Sequence, residues 1–432
     1  MSISWELRPG TVSTKIASQG SVLVAPACTH IDLAIVRSLG RRGVPVVAAV
    51  PGQGGIAHRS RYCHSFFHLP AAPAEAVDAI ARFVRRNPVS AVFCTDESFI
   101  TLLNRERSGL EQNTRLLFAP QETFDQCLHK DKTLELARKV GLPTPRTEVI
   151  TRLEDVGACA GLRFPVVLKP RHRDARMPHI LPFKAIHVAD FPELRRRMEG
   201  FAEVGEFPLV QEYFEGSGVG VELLIEAGEP RIVFQHRRIR EYPSSGGIGV
   251  YCESMRPSPE LVRDSVALLA AMNWEGVAMV EFRVDEASGR HTLMELNGRF
   301  WGSLPLALEA GADFPYWYFR SATGKDMEGC PRTGRPGVRC RLVSHDTARL
   351  LKLRHAGRAG WGDLWRYLAA YRPGVRYFVW SQDDPLPAVA GLVHRAGQFR
   401  QWWGAGSAAA ARDREGSMDV FGWEETILPF PN

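Results

Sequence analysis

The stretch that decides the fold is VEFRVDEASGRHTLMELNGRF, residues 280–300. It reads as two strands, Val277 to Val284 and His291 to Leu296, joined at Ala-Ser-Gly. Glu281 sits on the first. Glu295, Asn297 and Arg299 follow at a period of two on the second, which turns all three toward one face. Carboxylates flanking an amide suit octahedral Mg²⁺, which takes few protein ligands and completes its shell with phosphate oxygens. A nearby guanidinium suits a phosphoryl or carboxylate group. Two salt-bridged edge strands would place charges similarly, but an exposed edge has no special need for an amide between Glu295 and Arg299.

Moving toward the N-terminus, Pro259 to Met272 has helical spacing, and Val219 to Ile225 with Arg231 to Gln235 reads as a hairpin around Ala-Gly-Glu. Pro208 to Tyr213 and Phe164 to Lys169 read as strands, with Phe191 to Glu199 a helix between them. Lys169 ends an apolar strand and is followed by Arg171, His172 and Arg173; it can meet a phosphate as a point charge or snorkel out of a core. Gln211, Glu212, Tyr213 and Phe214 combine a strand end with an aromatic platform for a flat base. His236, Arg237, Arg238 and Arg240 form a second basic element, directly before Ser-Ser-Gly-Gly at 244–247, and two basic loops could enclose a polyphosphate.

Phe124 to Val140 reads as one helix containing Lys130 and Lys132, stopped by Gly-Leu-Pro-Thr-Pro at 141–145. Before it, Ser21 to Pro26, Ile31 to Leu39 ending at Gly40, and Val44 to Val50 form a βαβ beginning. Pro73 to Val84 is a further helix and Ser90 to Cys94 a strand closing in Thr95-Asp96-Glu97. Polar residues at such a strand end mark the ligand side of an open α/β sheet, although Asp96 also fits a helix N-cap.

At 432 residues, 45% hydrophobic and 24% charged, the chain has material for two or three packed units and is neither disordered nor fibrous. The net charge of +6 is carried by Pro331–Asn432, with 15 Lys or Arg against 9 Asp or Glu, and this quarter holds six of the ten tryptophans. It includes a Trp-containing helix near 361–371 and an Ala-rich patch at 404–411. The eight cysteines have no CxxC pair or zinc spacing and read as reduced core residues. Neither a leader-like N-terminus nor a run of 18 apolar residues occurs, so a cytoplasmic location without a membrane span is expected.

In order along the chain, DKTLELARKVGLPTP, FPVVLKP, LVQEYFEG, GVAMVEFRVD and LMELNGRFWGS resemble the ATP-grasp superfamily. The resemblance is particularly to carboxylate–amine ligases with a carbamoyl phosphate synthase-like ATP-binding region, and it covers roughly residues 20 to 325. It implies an α/β and α+β chain: a Rossmann-like N-terminal domain (1–120), a two-lobed ATP-grasp domain (121–325) and a basic, Trp-rich C-terminal appendage (326–432). It further implies that Lys132 and Lys169 contact ATP phosphates and that Gln211, Glu212, Tyr213 and Phe214 receive adenine, largely through backbone groups. Glu222 would lie on the ribose side. Glu281 and Glu295 would hold Mg²⁺, or Mn²⁺, with Asn297 completing the site. Arg299 would neutralise an anionic reacting group, and His236 and Arg238 would contact the γ-phosphate or the carboxylate substrate.

The implied reaction is ligation through an acyl phosphate, joining a carboxylate to an amine, with an amino acid or small peptide as substrate. Transfer to a thiol or hydroxyl, and a non-catalytic ATP-binding scaffold, are the alternatives. Nucleic-acid binding by the basic tail is disfavoured, because scattered Arg and Trp more often serve as core anchors and solvated faces. A homodimer is the general expectation for an oligomer. Two features depart from the family pattern. The segment after Lys169, KPRHRDARMPHI, has no glycine, so either side chains of Arg171, His172 and Arg173 replace backbone amides or the segment folds differently. The acidic residue near the ribose is displaced by Gly-Ser-Gly at 216–218.

Overall fold

Strands β1 (Glu6–Leu7), β2 (Ser21–Val24) and β3 (Val46–Pro51) bracket helix α1 (His30–Arg41) in the computed structural model, which describes residues 6–7, 20–52, 55–172, 185–243 and 246–392. Arg173, Ser244, Ser245, the Ala-rich patch and Trp402, Trp403 and Trp423 lie outside the described residues. The chain forms two compact units.

The first unit continues through β4 (Ser65–Leu69), α2 (Pro73–Arg86), β5 (Val89–Phe93), α3 (Glu97–Arg105), α4 (Arg107–Glu111) and β6 (Arg115–Leu116). Its sheet has the order β1-β4-β3-β2-β5-β6, parallel throughout except for β1. All four residues of β2 are buried, as a central strand covered on both faces requires. The direction of winding reverses between β2 and β5. There, Thr29 caps α1, and the enclosed Asp32 carboxylate accepts hydrogen bonds from Cys28 N, Thr29 N, Thr29 Oγ1 and Thr95 Oγ1. Asp96 is the N-cap of α3, accepting from Phe99 N at 2.8 Å. Helix α1 runs through Gly40 rather than ending there. A Cβ at Gly40 would lie 2.5 Å from Tyr62 O, so this glycine permits a close approach and does not terminate the helix.

The second unit spans Ala119–Phe300 with Pro331–Gly337. It opens with α5 (Gln121–Leu128) and α6 (Lys130–Lys139), not one helix. His129 between them is extended, bridges to His172, and lets Lys130 N donate to Arg171 O at 2.8 Å. Pairing with the segment after Lys169 thus interrupts a helical pattern. One lobe is an antiparallel sheet of β7 (Thr147–Val149), β8 (Val166–Lys169), β9 (Ile186–Val188) and β10 (Leu209–Glu212), with α7 (Phe191–Val204). Its core joins Val166, Leu168 and Val210 to Leu194, Met198 and Phe201.

The other lobe carries β11 (Ser217–Glu226), β12 (Glu229–Tyr242), β13 (Ile248–Met255), α8 (Pro259–Ala271), β14 (Gly276–Val284) and β15 (His291–Asn297). The strands run antiparallel in the order β15-β14-β11-β12-β13. The expected basic loop at His236–Arg240 is instead part of β12, hydrogen-bonded to β11 on one side and β13 on the other. Strand alternation therefore splits the basic run: Arg237 pairs with Glu253, while His236 and Arg238 share the other face.

The chain from Trp301 to Cys330, and again from Val338, belongs to the first unit, so the division differs from the expected break at 325. These residues form α9 (Leu304–Glu309), α10 (Phe314–Ala322), β16 (Arg339–Arg341), α11 (Val343–His355), α12 (Trp361–Leu368) and β17 (Val375–Tyr377). Buried Asp384 accepts from Arg37 Nε at 2.9 Å, Ser60 Oγ at 2.6 Å and Arg61 N at 2.8 Å, which ties this late segment to α1 and the β3–β4 connection. No helix of the described residues is long and apolar enough to cross a membrane.

Candidate active site

Glu281 and Glu295 are direct cross-strand partners, and the same row continues to Gly220 and His236. Steps of two place Glu222, Arg238 and Asn297 on this face as well. A polar band therefore crosses four strands. Each acidic member has a cation: Arg238 Nη2 donates to Glu281 Oε2 at 2.5 Å, and Lys130 Nζ to Glu295 Oε1 at 3.1 Å. Arg238 also donates to Glu241 Oε1 and to Gly247 O, while Arg283 reaches Glu241 Oε2 at 2.9 Å. Burial opposes the Arg238 charge, but Glu281 and Glu241 outweigh it and hold the guanidinium more firmly protonated than usual.

Burial pulls the Lys130 ammonium down to about 8 against the favourable charge of Glu281. Lys169 is likewise lowered to about 8 by burial, with the Lys130 charge adding to the effect. Its Nζ donates to Gln211 Oε1 at 2.7 Å, and Gln211 Nε2 donates to Thr147 Oγ1 at 3.0 Å. Leu209 pairs with Lys169, so Lys169 and Gln211 share one face of their sheet. Glu212 takes the opposite face and accepts from Arg163 N at 2.9 Å. The amides of Glu212 and Tyr213 are engaged by Arg146 O and Pro165 O. Tyr213 is exposed and meets His187 edge-on, with ring centroids 5.3 Å apart.

The structure gives several expected residues different surroundings from those the sequence implied. Lys132 is exposed, whereas Lys130, two positions earlier, reaches Glu295. Both lie in one polar helix start, and only the break at His129 distinguishes their directions. Glu222 and His236 are enclosed: His236 Nδ1 lies 2.6 Å from Glu222 Oε1. Burial disfavours the imidazolium, but the Glu222 carboxylate and Cys252 raise its proton affinity overall. The pair is therefore the buried part of the polar band, with both side chains closed off from solvent. A Cβ at Gly220 would come 2.6 Å from both Glu222 Oε1 and His236 Cε1, so the pair exists because that position is glycine.

Arg299 lies beyond β15 in a bend, where its Nη1 donates to Phe300 O at 2.9 Å; the period of two extends to Asn297 but not to Arg299. Gly298 sets that bend against the Trp274 ring and Cys127, which a Cβ would strike at 2.4 and 3.0 Å. Of the basic segment after Lys169, Arg171 pairs with Asp131 at 2.9 Å and His172 meets His129 edge-on.

A family model described as ATP-grasp in the biosynthetic pathway with Ter operon matches residues 206–345. No curated protein matches the chain. Among solved structures, an L-amino acid ligase from Bacillus licheniformis is similar over 70% of this chain and 74% of its own, at 18% identity and a TM-score of 0.55. A biotin carboxylase from Campylobacter jejuni, in a β,γ-ATP complex, is similar over 74% of each chain at 14% identity and a TM-score of 0.60. An N5-carboxyaminoimidazole synthetase from Staphylococcus aureus is similar over 79% of this chain and 87% of its own, at 12% identity and a TM-score of 0.58. With its Rossmann-like sheet and its two-lobed second unit, the chain shares its fold with these three structures.

Proposed function

We propose that this protein is an ATP-dependent ligase that activates a carboxylate as an acyl phosphate and joins it to an amine, with an amino acid or small peptide as the substrate class. The observation that carries this reading is the pair Glu281 and Glu295, directly opposed on β14 and β15 with Asn297 on the same face. Like charges placed opposite are destabilising unless cations lie beside them; Arg238 and Lys130 each take one oxygen of the pair. Among the described residues no group of three or more His, Cys, Asp or Glu is arranged for a metal. Two carboxylates and an amide, completed by phosphate oxygens, are the sparse hard-oxygen set that suits Mg²⁺ or Mn²⁺. When bound, such an ion neutralises charge on the phosphate oxygens.

In this reading the carboxylate oxygen of one substrate attacks the γ-phosphorus and ADP departs. The neutral amine of the second substrate then attacks the acyl phosphate carbonyl, the bond from that carbon to the phosphate oxygen breaks, and the nitrogen's proton passes to the departing phosphate or to water. Lys169 and Lys132 would offer charge to ATP phosphates, Gln211 to Phe214 would flank the adenine, and Arg238 and Arg299 would face the anionic reactants. The enclosed Glu222–His236 pair would hold the strand bearing Arg238 in register. No protein nucleophile is needed, in keeping with described cysteines that are mostly buried.

The test is a phosphate-release screen of carboxylic acids with pooled amines, followed by mass spectrometry of the product. An amide product with stoichiometric ADP supports the proposal. An ester or thioester would shift it to another acceptor, and ATP binding without ADP formation across a broad screen would leave only a nucleotide-binding scaffold.

A further inference from the structure

Helix α12 carries Trp361, Trp365 and Leu368 at the one-face spacing of a helix, and they are 78%, 72% and 50% exposed. The inner side is fixed: the Tyr367 hydroxyl lies 2.6 Å from Thr347 Oγ1, and the Arg341 guanidinium stacks 4.2 Å from the Tyr367 ring centroid. The tryptophans are thus held outward by packing on the opposite side of their own helix. Arg354 at the end of α11 lies 5.8 Å from the Trp361 ring, and exposed Leu351 is one turn earlier on the same helix. Large apolar side chains gathered exposed on one helix face mark an interaction site.

The charge around it selects the partner. From Arg349 to Arg376 there are seven Lys or Arg and one Asp, so this segment carries +6, equal to the net charge of the entire chain. Arg354, Arg358, Arg366 and Arg372 are exposed. A second copy docked face to face would set these arginines against one another. An anionic surface would not. Stacking on bases needs separate aromatic platforms, whereas here Trp361, Trp365, Leu368 and Leu351 add aliphatic depth to aromatic edges, the composition that enters a lipid headgroup boundary.

We propose that α12 and the end of α11 form a peripheral docking surface for an anionic lipid bilayer. The tryptophans and leucines enter the headgroup boundary, and the surrounding arginines meet lipid phosphates. The contact is monotopic and independent of the ligase chemistry.

The full chain is sedimented with vesicles of phosphatidylcholine plus phosphatidylglycerol and, separately, with phosphatidylcholine alone. Binding is expected for the mixed vesicles, to fall with added salt, and to weaken about fivefold for each arginine removed in Arg354→Ala, Arg358→Ala and Arg366→Ala. The double variant Trp361→Ser, Trp365→Ser changes only exposed side chains and is expected to lose binding while its circular dichroism matches the parent. Equal sedimentation with both vesicle types, or undiminished binding by a folded tryptophan variant, overturns the proposal. So does tighter binding to a single-stranded oligonucleotide that the same variants abolish, which assigns the face to nucleic acid. A concentration-dependent dimer that the tryptophan variant dissociates also overturns it, in favour of a second copy.

Discussion

Glu281 and Glu295 repel across one strand spacing, and each is met by a cation that arrives from elsewhere in the chain: Arg238 from β12, Lys130 from the start of α6. On the proposed function, Glu295→Gln removes half of the anionic set and is expected to lower ATP turnover about 10²–10³-fold while the fold persists. Steady-state ADP release together with an unfolding curve checks this, and near-normal turnover would remove Glu295 from the reaction. Lys130→Met removes one cationic partner of the half-buried Glu295 carboxylate and is expected to cost about 1–3 kcal/mol in denaturant unfolding. Lys132→Ala, at an exposed position, should leave the unfolding midpoint unchanged and raise KM for ATP. If the two lysine variants behave alike in both assays, the distinction between them fails. The alternation that displays Glu295 and Asn297 is written in the sequence. The choice between Lys130 and Lys132 is not, because helical spacing alone does not tell which turn begins after an extended His129.

At the scale of elements, β11 and β12 depend on glycine at the point where a charged pair must fit between strands. Gly220→Ala pushes a methyl group into Glu222 and His236 and is expected to destabilise the second unit by about 1–3 kcal/mol, read from chemical unfolding. The first βαβ element carries a pH dependence of its own. Burial raises the Asp32 carboxyl to about 6, although Thr29, Thr95 and Cys28 all donate to it. An acid with a higher pKa in the folded state binds its proton more tightly there, so its contribution is present below about pH 4 and is lost as pH rises through about 6. The stability difference between the parent and Asp32→Asn is expected to shrink by on the order of 3 kcal/mol across that window. A difference that stays flat from pH 4 to 6 would contradict the assignment.

For the whole molecule, the decisive contacts are those that bring the late chain back to the beginning. Asp384 and Arg37 are almost completely enclosed, and their pairing joins a C-terminal segment to the first helix. Asp384→Ala strands a buried guanidinium and is expected to cost about 3–5 kcal/mol in the unfolding of the first unit. Asp383→Ala, whose partner Arg41 is solvent-exposed, should cost at most about 1 kcal/mol. Equal losses would show that burial does not set the worth of these links. Within the first unit, Arg354, Arg358, Arg366 and Arg372 of the +6 segment stand exposed.

The sequence by itself determined the βαβ beginning, the successive strands that carry Glu281 and then Glu295 with Asn297, and the strand ending in Lys169. Each of these follows from periods of two or 3.6 residues and from turn residues close by, which are local signals. Only the tertiary structure decided that His236 to Arg240 is a strand, that Glu222 and His236 are sealed together, that Lys130 reaches Glu295 and that residues beyond Val338 pack with the first unit. Those outcomes depend on which strands become neighbours and on what register they take. Partners far apart in sequence settle both, through burial and charge pairing, and a local pattern carries no record of them.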